Sequence, residues 1–109
     1  MVVPSEPHPW PLDTLFKEEV GVMKVMAKPI EMIAWFDFKG LIHPIRFRLI
    51  DDDGQYRTIA IKSIQARKKE KLAGNLMQVF LCRGMVNDKE VLFELKYEKD
   101  TDQWTLFKM

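Results

Sequence analysis

The sequence predicts an all-β domain: a six-stranded antiparallel meander, closed as a small barrel or strongly bent sheet, with one short N-terminal helix before it. Three observations carry this. From Ile30 onward, apolar and polar residues alternate with a period of two. Turn-forming residues separate the alternating runs. The hairpins those turns imply set apolar residues opposite apolar residues.

The lead-in spans residues 1–29 and the β domain residues 30–109. Pro4, Pro7, Pro9 and Pro11 each fix φ and remove a backbone donor, so residues 1–11 read as an extended arm with Trp10 as its one large anchor. Residues 13–27 read as a short helix. Asp13 is placed to cap it, and Leu15, Phe16, Val20, Met23 and Ala27 share one side. Gly21 weakens that helix by about 1 kcal/mol relative to Ala, and Pro29 stops it. Met23 and Met26 stand as alternative initiators to Met1.

The first strand, "IEMIAWFDF", sets Ile30, Met32, Ala34 and Phe36 on one face, and Lys39-Gly40 turns the chain. "PIRFRLI" sets Ile45, Phe47 and Leu49 on one face and Arg46 and Arg48 on the other. After "DDDG" and the strand "YRTIAIKSI" comes "QARKKEKLAGN", read as a solvated turn or one to two turns of helix ended by Gly74. Three strands follow: "LMQVFLC", "VLFELKYE" and "WTLFKM". Parity chooses the loops. A three-residue loop, Asp52-Asp53-Gly54, places Phe47 opposite Ile59 and Ile45 opposite Ile61, whereas a two-residue loop would mix the faces. A two-residue Asn87-Asp88 turn pairs Cys82 with Phe93 and Phe80 with Leu95. A four-residue Lys99–Asp102 loop pairs Tyr97 with Trp104 and Leu95 with Leu106, making the C-terminus a full strand.

The same parity leaves Ile33, Trp35, Leu92 and Phe107 on the face opposite Phe93 and Leu95. Contiguous exposed apolar patches are rare on monomers. These four are therefore expected to form a protein interface, covered by the N-terminal segment through Trp10, Leu15 and Phe16 or by a second copy of the chain. A homodimer is favoured, because the proline arm and Gly21 make a weak cover.

Composition narrows the function. With 17 basic and 16 acidic residues the net charge is +1, so no global field draws in nucleic acid or anionic lipid. Cys82 is the only cysteine, which excludes an internal disulfide and points to a reducing, cytoplasmic setting. The N-terminal residues lack a signal-peptide pattern, and no apolar run approaches a membrane span. Asp51, Asp52 and Asp53 are consecutive rather than alternate, which suits a turn and not a calcium loop; Asp100 and Asp102 read the same way. His8 and His43 are the only histidines, and no motif sets a nucleophile or second ligand beside either. No glycine-rich phosphate loop is present. No catalytic residue, metal or cofactor is expected. Cys82 reads as a small buried hydrophobe, and Trp35, Phe36, Phe38, Phe47, Phe80, Phe93 and Tyr97 read as core.

One local patch suits nucleic-acid phosphates: Arg67, Lys68 and Lys69, with Arg46, Arg48 and Lys62 on an outer sheet face. Glu70 dilutes it and no aromatic residue is interleaved for stacking, so the solvated reading is preferred.

The stretches "KPIEMIAWFDFKGLIHPIRFRL", "KLAGNLMQVFLC" and "LFELKYEKDTDQWTLFKM" resemble a family of small uncharacterised bacterial all-β proteins. The resemblance covers about Lys28 to Met109 and rests on Pro44, Phe47, Gly74, Phe80, Leu95, Trp104 and Leu106. These are turn and core residues, so it implies a fold and carries no catalytic residue with it. The expected function is a non-enzymatic binding or scaffolding module with a protein partner; the alternative is a nucleic-acid-binding barrel using the basic patch.

Overall fold

The computed structural model describes residues 23–109. The proline arm, Trp10, His8, most of the expected helix and the expected cover through Leu15 and Phe16 lie outside those residues. Six strands follow one another: β1 (Val25–Phe36), β2 (Ile42–Ile50), β3 (Tyr56–Leu72), β4 (Asn75–Val86), β5 (Lys89–Glu98) and β6 (Gln103–Lys108). Each pairs antiparallel with its neighbours in sequence, and β1 pairs with β6, so the sheet closes into a barrel.

The turn chemistry behaves as the parity argument requires. Phe47 faces Ile59 across β2–β3, with Gly54 left-handed at φ 77°. Cys82 faces Phe93 and Phe80 faces Leu95, joined by Asn87 and Asp88 at φ 51° and 63°, the mirror-image turn that suits strand twist. Tyr97 faces Trp104 and Leu95 faces Leu106. The chain end is locked by a reciprocal backbone pair, Lys24 and Met109 each donating to the other at 3.0 Å.

Three expectations are corrected. Val25–Ala27, the end of the expected helix, belong to β1, because Lys28 and Val25 ladder onto Leu106 and Lys108 of β6. Ile45 does not share the inner face with Phe47 and Leu49. The register slips between Ile33 and Ala34, leaving Ile45 as the extra, exposed residue of a bulge while Pro44 and Ile42 turn inward. The basic run is neither turn nor helix. It continues β3 to Leu72, paired residue by residue with β4 down to Asn75, and Ala73-Gly74 make the tight turn.

The barrel interior is filled by side chains. Ile42, Phe47, Phe80, Phe93, Leu95 and Leu106 are sealed from solvent, each such burial contributing about 1.5–3 kcal/mol. Phe47 and Phe93 meet edge to face at 5.4 Å, and Trp104 lies 4.9 Å from Tyr97 and 5.5 Å from Phe80. A smaller cluster of Ala66, Val79 and Leu81, with Met23 packed on it, lies on the outer face. Buried Glu94, laddered to Leu81 and Lys108, lies on the same side. Burial pushes the Glu94 carboxyl above its ordinary range, and Lys96 and Lys108 partly offset this.

Strand β3 changes partner in its middle. Ala60 is paired with Arg46 of β2, and Ile61 with Gly84 of β4. A Cβ on Gly84 would sit 2.5 Å from the Ala60 carbonyl oxygen and 2.9 Å from the Phe93 ring. Gly84→Ala should therefore force backbone apart, lowering stability by about 1–3 kcal/mol. Urea unfolding of the variant measures it, and an unchanged midpoint would contradict the close approach.

Candidate functional site

Two hairpins of this barrel are turned by one device. In the β1–β2 turn, one carboxylate oxygen of Asp37 accepts from the backbone N–H of Lys39 and of Leu41, both at 2.9 Å. The other lies 3.1 Å from His43 Nε2. Gly40 closes the loop at φ 84° and donates to the Asp37 carbonyl at 2.8 Å. In the β2–β3 turn, Asp51 accepts from the N–H of Asp53 at 2.9 Å and of Gln55 at 3.0 Å. Its other oxygen takes Arg57 Nε at 2.7 Å, and Gly54 donates to the Asp51 carbonyl at 3.0 Å. The sequences "DFKGLIH" and "DDDGQYR" show the shared rule: Asp, Gly three residues on, and a side-chain donor six residues on. This repeat is legible in the sequence, where the turn reading of Asp51 covers one copy and Lys39-Gly40 marks the other without Asp37. The local-bond reading of Asp51 holds.

Electrostatics follow geometry. The His43 hydrogen bond, with those of the backbone, holds Asp37 below the usual carboxylate range; Arg57 does the same for Asp51. These carboxylates serve as internal caps. Among the described residues no group of three or more His, Cys, Asp or Glu could hold a metal ion.

The two turns differ at their tips. Asp52 and Asp53 crown the second, and Asp52 reaches Lys28 at 3.3 Å. Phe38 and Lys39 crown the first, and Phe38 is 96% exposed. Phe36 and Leu41 beside it are also exposed. Below them Trp35 stacks flat on His43, ring centroids 4.1 Å apart, with Ile33 two residues further down β1. The expectation that Phe36 and Phe38 are core is thus overturned, because they lie at the exposed hairpin end, and Trp35, read both among the core aromatics and by parity on the outer face, is on the outer face. Phe47, Phe80, Phe93 and Tyr97 are core as expected. Beside Ile33 lies a shallow groove of about 400 Å³ walled by Glu31, Ile33, Arg46, Arg48 and Thr58.

The basic residues do not converge. Arg46 and Arg48 stand on the exposed side of β2; Arg48 bonds Glu31 and covers the Tyr56 ring at 4.3 Å. Lys62 pairs with Glu90 at 3.1 Å, and Lys68 lies 3.9 Å from Glu70. Lys69 is exposed further along β3. Half-buried Arg67 bonds the Ile42 carbonyl and lies over the Phe80 ring at 5.5 Å, so it bridges β3 to β2 at the barrel's end. The apolar set divides as well. Ile33 and Trp35 lie together, but half-buried Phe107 is the extra residue of a β6 bulge, flanked through Leu106 and Lys108 by Lys28 and Val25. At about 3.3 Å per residue, that is roughly 15–30 Å along β1 from the pair. Lys96 Nζ covers the Phe107 ring at 3.8 Å, and Leu92 is half-buried opposite Arg83.

Cys82 is fully buried, and burial pushes its thiol up to about 12. A buried thiol of this kind is a packing group and a poor nucleophile.

No protein-family model, no curated protein and no solved structure matches the chain. Among the described residues no helix is long and apolar enough to cross a membrane.

Two outcomes are expected. Because both Asp37 and Asp51 titrate lower folded than unfolded, their contribution is present above the ordinary carboxylate pKa of about 4 and is lost as pH falls through the folded values. Asp37→Asn with Asp51→Asn should flatten the acid limb of a stability–pH curve, and an unaltered limb would contradict the capping role. The Cys82 thiol should resist a thiol reagent in the folded protein and react once urea unfolds it; rapid native labelling would contradict its burial.

Proposed function

We propose that the protein is a non-enzymatic binding module that engages a protein partner through the outer, β1–β2 side of its barrel. One observation carries the reading. Six of the ten exposed large apolar side chains among the described residues, Ile33, Trp35, Phe36, Phe38, Leu41 and Ile45, gather on one hairpin, while the barrel interior is filled by side chains. Surface apolar residues scattered singly need no explanation, but a gathered set marks an interaction surface. Cytoplasmic residence and membership of the family of small bacterial all-β proteins belong to the same proposal. The single buried thiol suits a reducing compartment.

The nucleic-acid alternative is less well supported, because Glu31, Glu70 and Glu90 sit against Arg48, Lys68 and Lys62. Phosphate recognition needs unmatched cations on one face.

A photo-crosslinking amino acid in place of Trp35, compared with one in place of Thr101 on the β5–β6 turn, tests the reading in the native cell. Discrete protein adducts at position 35 and none at 101 are expected. No adducts, or the same adducts at both positions, would reject it. Binding of a labelled single-stranded oligonucleotide by the purified protein, weakening steeply with salt, would reject it in favour of the alternative.

A further inference from the structure

We infer that Phe38 is the anchor of this contact, entering an apolar pocket of the partner protein whose rim carries carboxylates. The inference rests on the binding-module reading and names the partner's chemistry.

The twin turns supply the argument. Backbone, capping carboxylate and glycine are alike in both, and the β2–β3 turn is built with aspartates at its tip. The turn geometry therefore does not ask for an aromatic residue where Phe38 stands, and a polar residue serves the fold there. Phe38 nonetheless sits 96% exposed on a loop fixed by Asp37 from both ends. A rigidly presented aromatic loses little entropy on docking, and such side chains dominate the energetics of protein interfaces.

Charge selects the rim. Lys39, beside Phe38, lies 5.9 Å above its ring and forms no ion pair among the described residues. Arg46, laddered to Ile33 on the same hairpin, likewise has no carboxylate partner there. The acid of the turn, Asp37, has both oxygens engaged within it. The patch thus presents apolar groups and two unmatched cations, and its complement is an apolar pocket bordered by Asp or Glu. A bilayer fits less well. The apolar residues run from Phe38 down the strand to Ile33, about 16 Å at 3.3 Å per residue, and two cations fall short of the cluster of roughly four to eight that marks anionic-lipid binding.

Panning a random-peptide phage library against the purified full-length protein tests this. Phe38→Ser should leave thermal unfolding unchanged, as the polar tip of the twin turn implies. It should weaken the enriched peptides at least tenfold, and those peptides should pair apolar residues with Asp or Glu. Lys39→Glu with Arg46→Glu should weaken them comparably. Peptides indifferent to Phe38→Ser but lost with Trp35→Lys would overturn the anchor and leave the module reading standing. Peptides indifferent to both substitutions, or no enrichment, would overturn both. Phe38-dependent sedimentation with phosphatidylcholine–phosphatidylglycerol vesicles would overturn the inference in favour of a membrane. Phe38-dependent dimerisation in analytical ultracentrifugation would do so in favour of a second copy.

Discussion

The missing side chain of Gly84 is the constraint on which the barrel turns. A strand that passes from one sheet neighbour to another must bend, and bending brings backbone close to backbone. At the residue where β3 leaves β2 for β4, the Ala60 carbonyl oxygen occupies space that any Cβ at position 84 would need. The Phe93 ring fills the rest, and Phe93 meets Phe47 of β2 edge to face. One absent methyl group thereby lets β4, β5 and β2 share a single core. The bulge at Lys62 follows at once, adding the local twist that carries β3 round the corner.

Strand β1 makes the same kind of exchange. Ile30 is paired with Trp104 of β6 and Glu31 with Arg48 of β2. Two long strands that change partner midway close a six-stranded sheet, and each leaves part of both its edges without a ladder partner among the described residues. On β3 the stretch beyond Ala60, on the β2 side, carries Arg67, Lys68, Lys69 and Lys71. Lysine on an open edge discourages the addition of foreign strands. This gives the basic run a structural reason to exist and weakens its claim as a phosphate site. On β1 the corresponding stretch carries Ile33, Trp35 and Phe36, with no such charge. These two stretches differ in kind, one carrying a run of cations and the other large exposed apolar groups.

Much of this was legible beforehand, and the reason is local. Turn residues and a period of two together fix a hairpin's register, so Phe47–Ile59, Cys82–Phe93 and Tyr97–Trp104 followed from the letters alone. Bulges were not legible. One extra residue reverses parity without any obligatory sequence mark, and so Ile45 left the face that alternation assigned to it, while the extra residue Phe107 stays on the outer face beneath Lys96. Convergence was also beyond reach. Whether Arg67 lies on the basic face or turns toward the Ile42 carbonyl depends on how β2 and β3 splay, a tertiary fact. The repeated Asp–Gly–donor spacing lay in plain view, yet its meaning appears only when one turn can be laid beside the other.

The paired turns separate what the fold requires from what it merely permits. Asp37 and Asp51 do the same bonding work, and their partners at the sixth position, His43 and Arg57, both supply a side-chain donor. Whatever differs between the turns is free of that requirement. The differences are concentrated: carboxylates at one tip, an aromatic residue and a lysine at the other, and beneath the latter a tryptophan held flat by the histidine that braces the turn. His43 thus has two duties, capping Asp37 and fixing the plane of Trp35. A packed interior leaves the barrel only its outer surface with which to recognise anything. With a net charge of +1 and seven of the sixteen lysines and arginines among the described residues paired with carboxylates, the proposed recognition would rest on apolar contact, with nearby unmatched charges setting orientation. The β1–β2 hairpin combines those features on a framework that its own capping bonds keep rigid.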